Sequence, residues 1–326
     1  MRNTIRKALE PGTWVSGQKL AELTGTSRTA VWKHIKSLRQ EGYQIRSGSG
    51  HGYRLDSIPD QLLPQEISNG LQTTLLGSRI VHEQEVDSTQ QLLKSLAADG
   101  APEGTVVLAE QQSLGRGRLQ RIWTSLPGSI AMSILFRPPM APERAFGFPL
   151  LAGVAVARAI SDVSGLGCGL KWPNDIVCQG KKLGGVLIEM NAEMDRILDL
   201  FLGIGLNVNT PEEDLPQGMP LPATSVLAET GVTCIRVRLV QHILAQLEDL
   251  YQILREQGFE PIRQAWKEAN LTLGQDVQAS GPSGEAIHGR AEDIDHTGAL
   301  IIRTPTGALI PVSSGDVTLQ RSLWQG

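Results

Sequence analysis

The chain has little of what several function classes are built from. Its three cysteines, Cys168, Cys178 and Cys234, form an odd set without Cys-x-x-Cys spacing. That favours reduced core thiols in a cytoplasmic protein over a zinc module or a disulfide framework. The six histidines show no metal-ligand spacing, and HExxH, GxxxxGK[ST] and a Ser–His–Asp order are all missing. Metalloprotease, P-loop and serine-hydrolase chemistry therefore have little support. No run of eighteen apolar residues occurs, and the opening MRNTIRKALEPG lacks the apolar centre of a secretory signal. There are no convincing repeats or low-complexity tracts. What remains is a soluble globular chain with no membrane partner, 40% hydrophobic and 20% charged over 326 residues. Its length suits about two domains and a small third.

Charge is unevenly spread. Net charge is −4, yet residues 1–56 hold ten Lys/Arg against four Asp/Glu, or +6, leaving −10 for the rest. A basic head on an acidic body predicts that only the head meets a polyanion. Thr4–Leu9 reads as a short helix. Ser16 is placed to cap a second helix running to Leu23, with Leu20 and Leu23 on one face. Ser27 is placed to cap a third from Arg28 to Glu41, with Val31, Ile35 and Leu38 inward and Gly42 as its stop. The turn Thr24-Gly25-Thr26 gives helix-turn-helix spacing. Ser27, Arg28, Thr29, Trp32, Lys33 and Lys36 lie off the apolar stripe, so the first half of this helix is expected in a DNA major groove. Residues 43–46 and 52–55 read as a hairpin wing, with Arg46 and Arg54 set for phosphates. A helical protein-docking module is the alternative. No single residue identifies an operator.

Ile58 to Pro64, with Pro59 and Pro64, reads as a linker, and from about residue 66 strands and helices alternate. Strands are expected at 79–86, 104–110, 129–136 and 197–206. Helices are expected at 89–98, 143–164 despite Pro149, 237–257 and 261–269. Adjacent hairpins with helices to one side favour a mixed α+β sheet. Within it, KWPND (171–175) and KKLGG (181–185) frame a hairpin turning at Gln179-Gly180, with an extended Trp172 before Pro173. This turn brings Asp175 and Lys182 onto neighbouring strands. Charges at the ends of apolar strands are costly unless paired or offered to a ligand, so a structural ion pair and a binding site both stay open. GRGR (115–118) tilts the balance. Gly115 and Gly117 free the backbone, while Arg116 and Arg118, with Arg121 beyond, present guanidinium forks suited to phosphate or carboxylate.

DST (87–89), GRGR with Trp123 beyond it, KWPND, KKLGG and GIGLNVN (203–209) occur in this order. From about residue 80 onward the chain resembles the biotin–protein ligase family. With its head it resembles the bifunctional members that also repress the biotin operon. The resemblance implies a winged helix-turn-helix at 1–58, a mixed-sheet ligase domain with helices at 66–270 and a small SH3-like β-barrel at 271–326. It implies that ATP, with Mg²⁺, activates biotin as biotinoyl-5′-AMP, and that a lysine of biotin carboxyl carrier protein then takes the biotinoyl group. An adenylate-bound homodimer would bind operator DNA.

By the same resemblance, Lys182 bridges the biotin carboxylate and the α-phosphate, and Arg116, Arg118 and Arg121 grip phosphate. Ser88 and Thr89, with Gln90 beside them, suit the ureido ring, and Gln112 hydrogen-bonds near the ligand carboxyl or the ring. Gly115, Gly117, Gly185, Gly203 and Gly205 allow close backbone approach, and Asn207 lies by the adenylate. Asp175 either orients the incoming lysine or lies near Mg²⁺; no protein metal site is implied. Lys171 is a structural partner of Asp175. Trp123 and Trp172 are read as packing residues first and stacking residues second. Several positions depart from the family pattern. Gln90 stands where asparagine usually follows Ser-Thr, Leu119-Gln120 and Ile122 interrupt the loop, and Asp293 stands where the tail often has a turn glycine. Two alternatives remain: a lipoate or octanoate ligase of the same fold, and a ligand-sensing regulator without catalysis.

Overall fold

Serine hydroxyls start the central helices of the N-terminal unit in the computed structural model, which describes residues 1–9, 12–280, 286–313, 315 and 317–319. The chain folds as two compact units, Met1–Asn69 and Gly70–Gly326. The first unit holds α1 (Arg2–Ala8), α2 (Gly17–Thr24), α3 (Arg28–Gln40) and α4 (Pro64–Ser68), with strands β1 (Trp14–Val15), β2 (Gln44–Gly48) and β3 (Gly52–Ser57) in the order β1-β3-β2. Ser16 Oγ accepts from Lys19 N at 3.1 Å and Ser27 Oγ from Ala30 N at 3.2 Å, caps worth about 1 kcal/mol each. Val31, Ile35 and Leu38 are buried as expected, against Ile5, Leu20 and Leu55.

Leu23 departs from expectation. It is 53% exposed, and Ala21 lies inside with Leu20. The buried arc of α2 runs from Leu20 towards Ala21, which turns the i+3 position outward. Strand β1 is also new. It closes on β3 because Gly52, at φ +94°, has no side chain; a Cβ there would stand 2.2 Å from Val15 O. The stretch 58–64, expected as a linker, is packed: Leu62 is buried, and Ile58 and Leu63 lie against the core. Glu66 on α4 pairs with Arg6 and accepts from Tyr43 Oη at 2.7 Å. Burial and that bond push the Tyr43 phenol up to about 12.

In the second unit, strands β4 (Arg79–Val86), β5 (Thr105–Gln112), β6 (Ile130–Phe136), β7 (Gly169–Lys171), β8 (Asp175–Cys178), β9 (Lys181–Ala192) and β10 (Ile197–Leu206) form one sheet, ordered β4-β5-β6-β10-β9-β8-β7. Only β4 and β5 run parallel, so the sheet is mixed, as expected. Its helices do not keep to one side. Leu135, Val107 and Phe201 face α5 (Thr89–Ala98) through Leu93 and Ala97. Phe136, the next residue on β6, points the other way and meets Phe148 and Tyr251 edge-on at 5.5 and 4.9 Å. Those rings belong to α6 (Phe148–Ser164) and α8 (Arg236–Gln257). The alternation of a strand thus gives the sheet two covered faces.

Pro149 sits in the first turn of α6, behind a separate 3₁₀ turn at Pro142–Gly147; the ring costs no helical bond there. The apolar segment Pro142–Ser164, long enough to cross a membrane, is packed against α8 and α9 (Glu260–Ala269). Cys168 and Cys178 are free thiols whose ionisation burial pushes up. Short helix α7 (Val226–Thr230) precedes α8. Strands β11 (Asp276–Ser280), β12 (Ala286–Ile294), β13 (Leu300–Arg303), β14 (Leu309–Val312) and β15 (Val317–Leu319) form a second, antiparallel sheet, ordered β14-β13-β12-β11-β15. Part of the tail assigned to it, at 281–285 and 320–326, lies outside the described residues. Asp293 belongs to strand β12 rather than a turn, and ties it to α9 through Lys267 at 2.9 Å and Arg263 at 3.3 Å.

Glu248 of α8 anchors the loop before β4. Its two oxygens accept from the amides of Thr74, Leu75 and Leu76 at 2.6–2.9 Å. Partial burial alone would raise its carboxyl; the amides of Leu76, Thr74 and Leu75 outweigh that and leave it below the usual carboxylate range. Stability from a depressed carboxylate is present above the unfolded value, near pH 4, and is lost as pH falls through the folded one. Glu248→Gln is expected to lower Tm by about 2–4 °C at pH 7, with the gap to the parent closing below pH 4 in thermal scans.

Candidate functional site

The carboxyl ends of the parallel pair β4 and β5 carry the first two motifs, the position from which ligands are commonly held in such sheets. After β4, Ser88 takes the extended N-cap conformation and α5 begins at Thr89. After β5, the chain turns back over the same end: Ser113 N donates to Val86 O and Leu114 N to Asp87 O at 2.8 Å. Gln112 joins the two segments. Its Oε1 accepts from Thr89 N at 2.8 Å and Thr89 Oγ1 at 3.0 Å, and its Nε2 donates to Ser125 Oγ at 2.9 Å. Thr89 Oγ1 also meets Ser133 Oγ of β6 at 2.9 Å. Ser88, Thr89 and Gln90 are each less than a tenth exposed.

The arginine loop is a small hairpin here. Trp123 N donates to Gly115 O at 2.9 Å, and Gly117 N to Arg121 O at 2.8 Å. A Cβ on Gly115 would lie 2.3 Å from Trp123 O, so only glycine lets the strands of this hairpin meet. Leu119 makes the turn with φ 54°, a left-handed backbone unusual for a branched residue. Arg116 and Arg121 are exposed. Arg118 is half-buried, donating to Gly315 O at 3.1 Å and to Asn174 Oδ1 at 3.5 Å. It therefore links the loop, the KWPND segment and Gly315, which lies between β14 and β15 in the chain. Leu119 and Ile122 are open to solvent, Ile122 at 84%.

Beneath lies a cavity of about 230 Å³ on the α5 face of the sheet. It exists because that face carries small residues where strands would otherwise present bulk: Ser133 on β6, Gly203 and Gly205 on β10, and Gly185 on β9. The space over Gly205 is taken by the Trp123 indole, 2.4 Å from where a Cβ would be, and that over Gly203 by Gln90 Oε1. The Trp123 indole N–H is buried on this wall without a partner among the described residues.

At the opposite side Asp175 Oδ1 holds Lys182 Nζ at 2.5 Å, and its Oδ2 stands 3.7 Å from Lys171 Nζ. Two ammonium groups share one carboxylate, so the cluster keeps a net positive charge. Trp172 is buried, with Nε1 donating to Gly298 O at 3.0 Å; it packs and does not line this cavity.

The structure thus gathers Ser88, Thr89, Gln90, Gln112, Arg116, Gly117, Arg118, Arg121, Asp175, Lys182, Gly185, Gly203 and Gly205 around one space. Gly115 shapes the loop from behind. Asn207 is set apart: it is buried, and its Nδ2 donates to Thr224 O at 2.9 Å. Sequence reasoning passed over Lys94, Ser125, Ser133 and Glu189. Glu189 had a signal, since it lies at the period-two position after Gly185 and Leu187 on β9; Ser133 had none within its apolar strand.

In the N-terminal unit, Ser27, Arg28, Thr29, Trp32, Lys33 and Lys36 are exposed along α3, with the Lys36 ammonium 5.6 Å from the Trp32 ring centre. Arg46 and Arg54 sit opposite each other across the β2–β3 hairpin and share Asp56, at 3.0 and 2.7 Å. The carboxylate offsets the repulsion of like charges in register. Arg54 also lies over the Trp14 ring, so Arg46 is the freer of the two for an outside anion.

Comparison with known proteins agrees along the length of the chain. Residues 83–207 match the biotin/lipoate A/B protein ligase family, residues 2–54 a helix-turn-helix domain, and residues 272–319 the biotin protein ligase C-terminal domain. The bifunctional ligase/repressor BirA of Bacillus spizizenii is 39% identical over 98% of this chain and all of its own. That of Escherichia coli is 29% identical over 96% of this chain and 95% of its own. Among solved structures, the biotin protein ligase of Aquifex aeolicus in complex with biotin and ATP superposes with a TM-score of 0.65. It is 30% identical and covers 75% of this chain and all of its own.

Proposed function

The chain belongs to the biotin protein ligase family in its bifunctional ligase/repressor form, and from that premise we propose how its residues divide the work. The protein ligates biotin to protein at the expense of ATP and represses transcription. One observation carries the assignment of parts: a single cavity has buried hydrogen-bonding groups at one side and a surplus of positive charge at the other. Biotin is a neutral bicyclic ring with a carboxylate on a chain, and that polarity matches.

Ser88, Thr89, Gln90 and Gln112 bind the ureido ring, whose carbonyl and two N–H groups need both donors and acceptors. Lys182 lies between the biotin carboxylate and the α-phosphate. In the first half-reaction a carboxylate oxygen bonds to the α-phosphorus as the bond to pyrophosphate breaks. Lys182 offsets the negative charge brought together, and Arg116 and Arg121 hold phosphate oxygens. Arg118, tied to Gly315 between β14 and β15, closes the loop over the anhydride and excludes water. In the second half-reaction the neutral amine of an acceptor lysine attacks the anhydride carbonyl, AMP leaves, and the amine loses a proton. Asp175 keeps Lys182 in place throughout.

Both cavity carboxylates, Asp175 and Glu189, already carry ammonium partners. These residues do not build a protein Mg²⁺ site, so any Mg²⁺ enters as the counter-ion of ATP. The acceptor is biotin carboxyl carrier protein, the C-terminal sheet is an SH3-like barrel, and the N-terminal unit is a winged helix that binds operator DNA as a homodimer.

Lipoate, a linear acyl chain with a dithiolane ring, offers no ureido N–H to the buried amides. Purified protein incubated with ATP, Mg²⁺, a carrier domain and either biotin or lipoate is expected to add one biotinoyl mass and no lipoyl mass. Lipoyl transfer would select the lipoate reading. Ligand binding without transfer would select a sensor.

A further inference from the structure

Gln90 is enclosed by acceptors. Its Nε2 donates to Glu189 Oε2 at 2.7 Å and to Phe201 O at 3.4 Å. A carboxylate and a peptide carbonyl have no hydrogen to give, so the amide nitrogen must face them and both its protons are engaged. The amide oxygen then has one direction left. It stands over Gly203 on the cavity face, 2.3 Å from where a Cβ would be. Lys94 completes the arrangement, its Nζ 3.0 Å from the other oxygen of Glu189 and its ammonium over the Phe201 ring. Glu189 is therefore anchored by a cation on one oxygen and orients an amide with the other. Gln90 is 7% exposed, and its flip would turn two N–H donors into the cavity and an oxygen against two oxygens.

We infer that Glu189 is a positioning residue that fixes the amide of Gln90 so that this end of the cavity offers a hydrogen-bond acceptor only. The wall thereby selects a ligand with an N–H group at that point, which deepens the biotin reading given above and rests on it. Glutamine reaches one methylene further than asparagine, which would leave the amide short of β10, so the carboxylate on β9 and the longer amide on α5 act as a pair. The bare backbone at Gly203 is the third part, since any side chain there would displace the oxygen.

The test compares the parent protein with Glu189→Ala, Glu189→Gln and Gln90→Ala in steady-state biotin transfer to a carrier domain. Each is run with biotin and with biotin methylated on either ureido nitrogen. Glu189→Ala is expected to raise KM for biotin by about 10-fold while kcat at saturating biotin and KM for ATP stay within about 2-fold. It should also reduce the preference for biotin over at least one N-methyl derivative. Glu189→Gln, whose amide oxygen can still accept, should recover most of the affinity. Gln90→Ala should raise KM at least as much and make Glu189→Ala silent when the two are combined.

Three results would overturn the inference: unchanged KM and preference in Glu189→Ala, equal losses in kcat, KM for ATP and Tm, or additive effects of the two changes. If the parent transfers no biotin at all, the ligase assignment fails first and this inference with it. A parent that transfers biotin while the variants behave as parent sinks the inference alone.

Discussion

Lys182→Ala is expected to lower the rate of pyrophosphate release by on the order of 10³-fold while the protein stays folded. The magnitude follows from removing one preorganised cation at the point where a carboxylate and a phosphate must touch. Folding should survive because Asp175 is not orphaned: Lys171 Nζ remains 3.7 Å from its other oxygen. Arginine at 182 should not rescue, since a planar fork with five donors cannot occupy the place of an ammonium 2.5 Å from a carboxylate. The two half-reactions can be separated by supplying ready-made biotinoyl-5′-AMP. Transfer from the supplied adenylate should fall by about 10-fold at most, because the phosphate charge no longer changes hands. Equal activity of parent and Lys182→Ala in the pyrophosphate assay would remove Lys182 from the chemistry and leave it a partner of Asp175.

Periodicity and motif order made most of the fold legible. Val31, Ile35 and Leu38 follow a helical stripe, and the strands of the ligase sheet announce themselves as short apolar runs. The misses share a physical cause: they depend on what packs from outside the element. Leu23 obeys the i+3 rule from Leu20, yet the neighbours of α2 lie toward Ala21. Helices on both faces of the sheet follow from Leu135 and Phe136 pointing opposite ways, which a strand buried along its whole length and apolar but for Ser133 conceals.

The same limit applies to the cavity. Charged residues in KWPND and KKLGG stand out because charge is expensive at the ends of apolar strands, and GRGR because guanidinium forks alternate with glycine. Glu189 and Lys94 look like any surface pair until β9 and α5 are brought together. Asn207 shows the converse: an amide within a motif, spent on holding Thr224.

Deleting residues 1–69 is expected to abolish sequence-specific DNA binding, by at least about 10³-fold, while leaving biotin transfer within about 3-fold. The cut falls between the two compact units, so the Gly70–Gly326 unit keeps every residue of its cavity. The salt dependence of the full-length protein carries more detail. Arg28, Lys33, Lys36 and Arg46 are exposed cations of α3 and the wing, whereas Arg39, though exposed, donates to Ile45 O and Ser47 Oγ and Arg54 is spent on Asp56 and Trp14. Four phosphates per head, on a homodimer, give a slope of log K against log salt of about −7. A single head gives about −4, so the slope itself reports whether one or two units engage.

Lys33→Ala with Lys36→Ala should then reduce the dimer's slope by about 3–4 and weaken binding to all sequences alike, since phosphate contacts carry no sequence information. DNA selected from a random pool by the full-length protein with biotin and ATP supplies the probe. A slope unchanged by the double substitution would mean that α3 faces away from the duplex, and the recognition surface would have to lie elsewhere on the head.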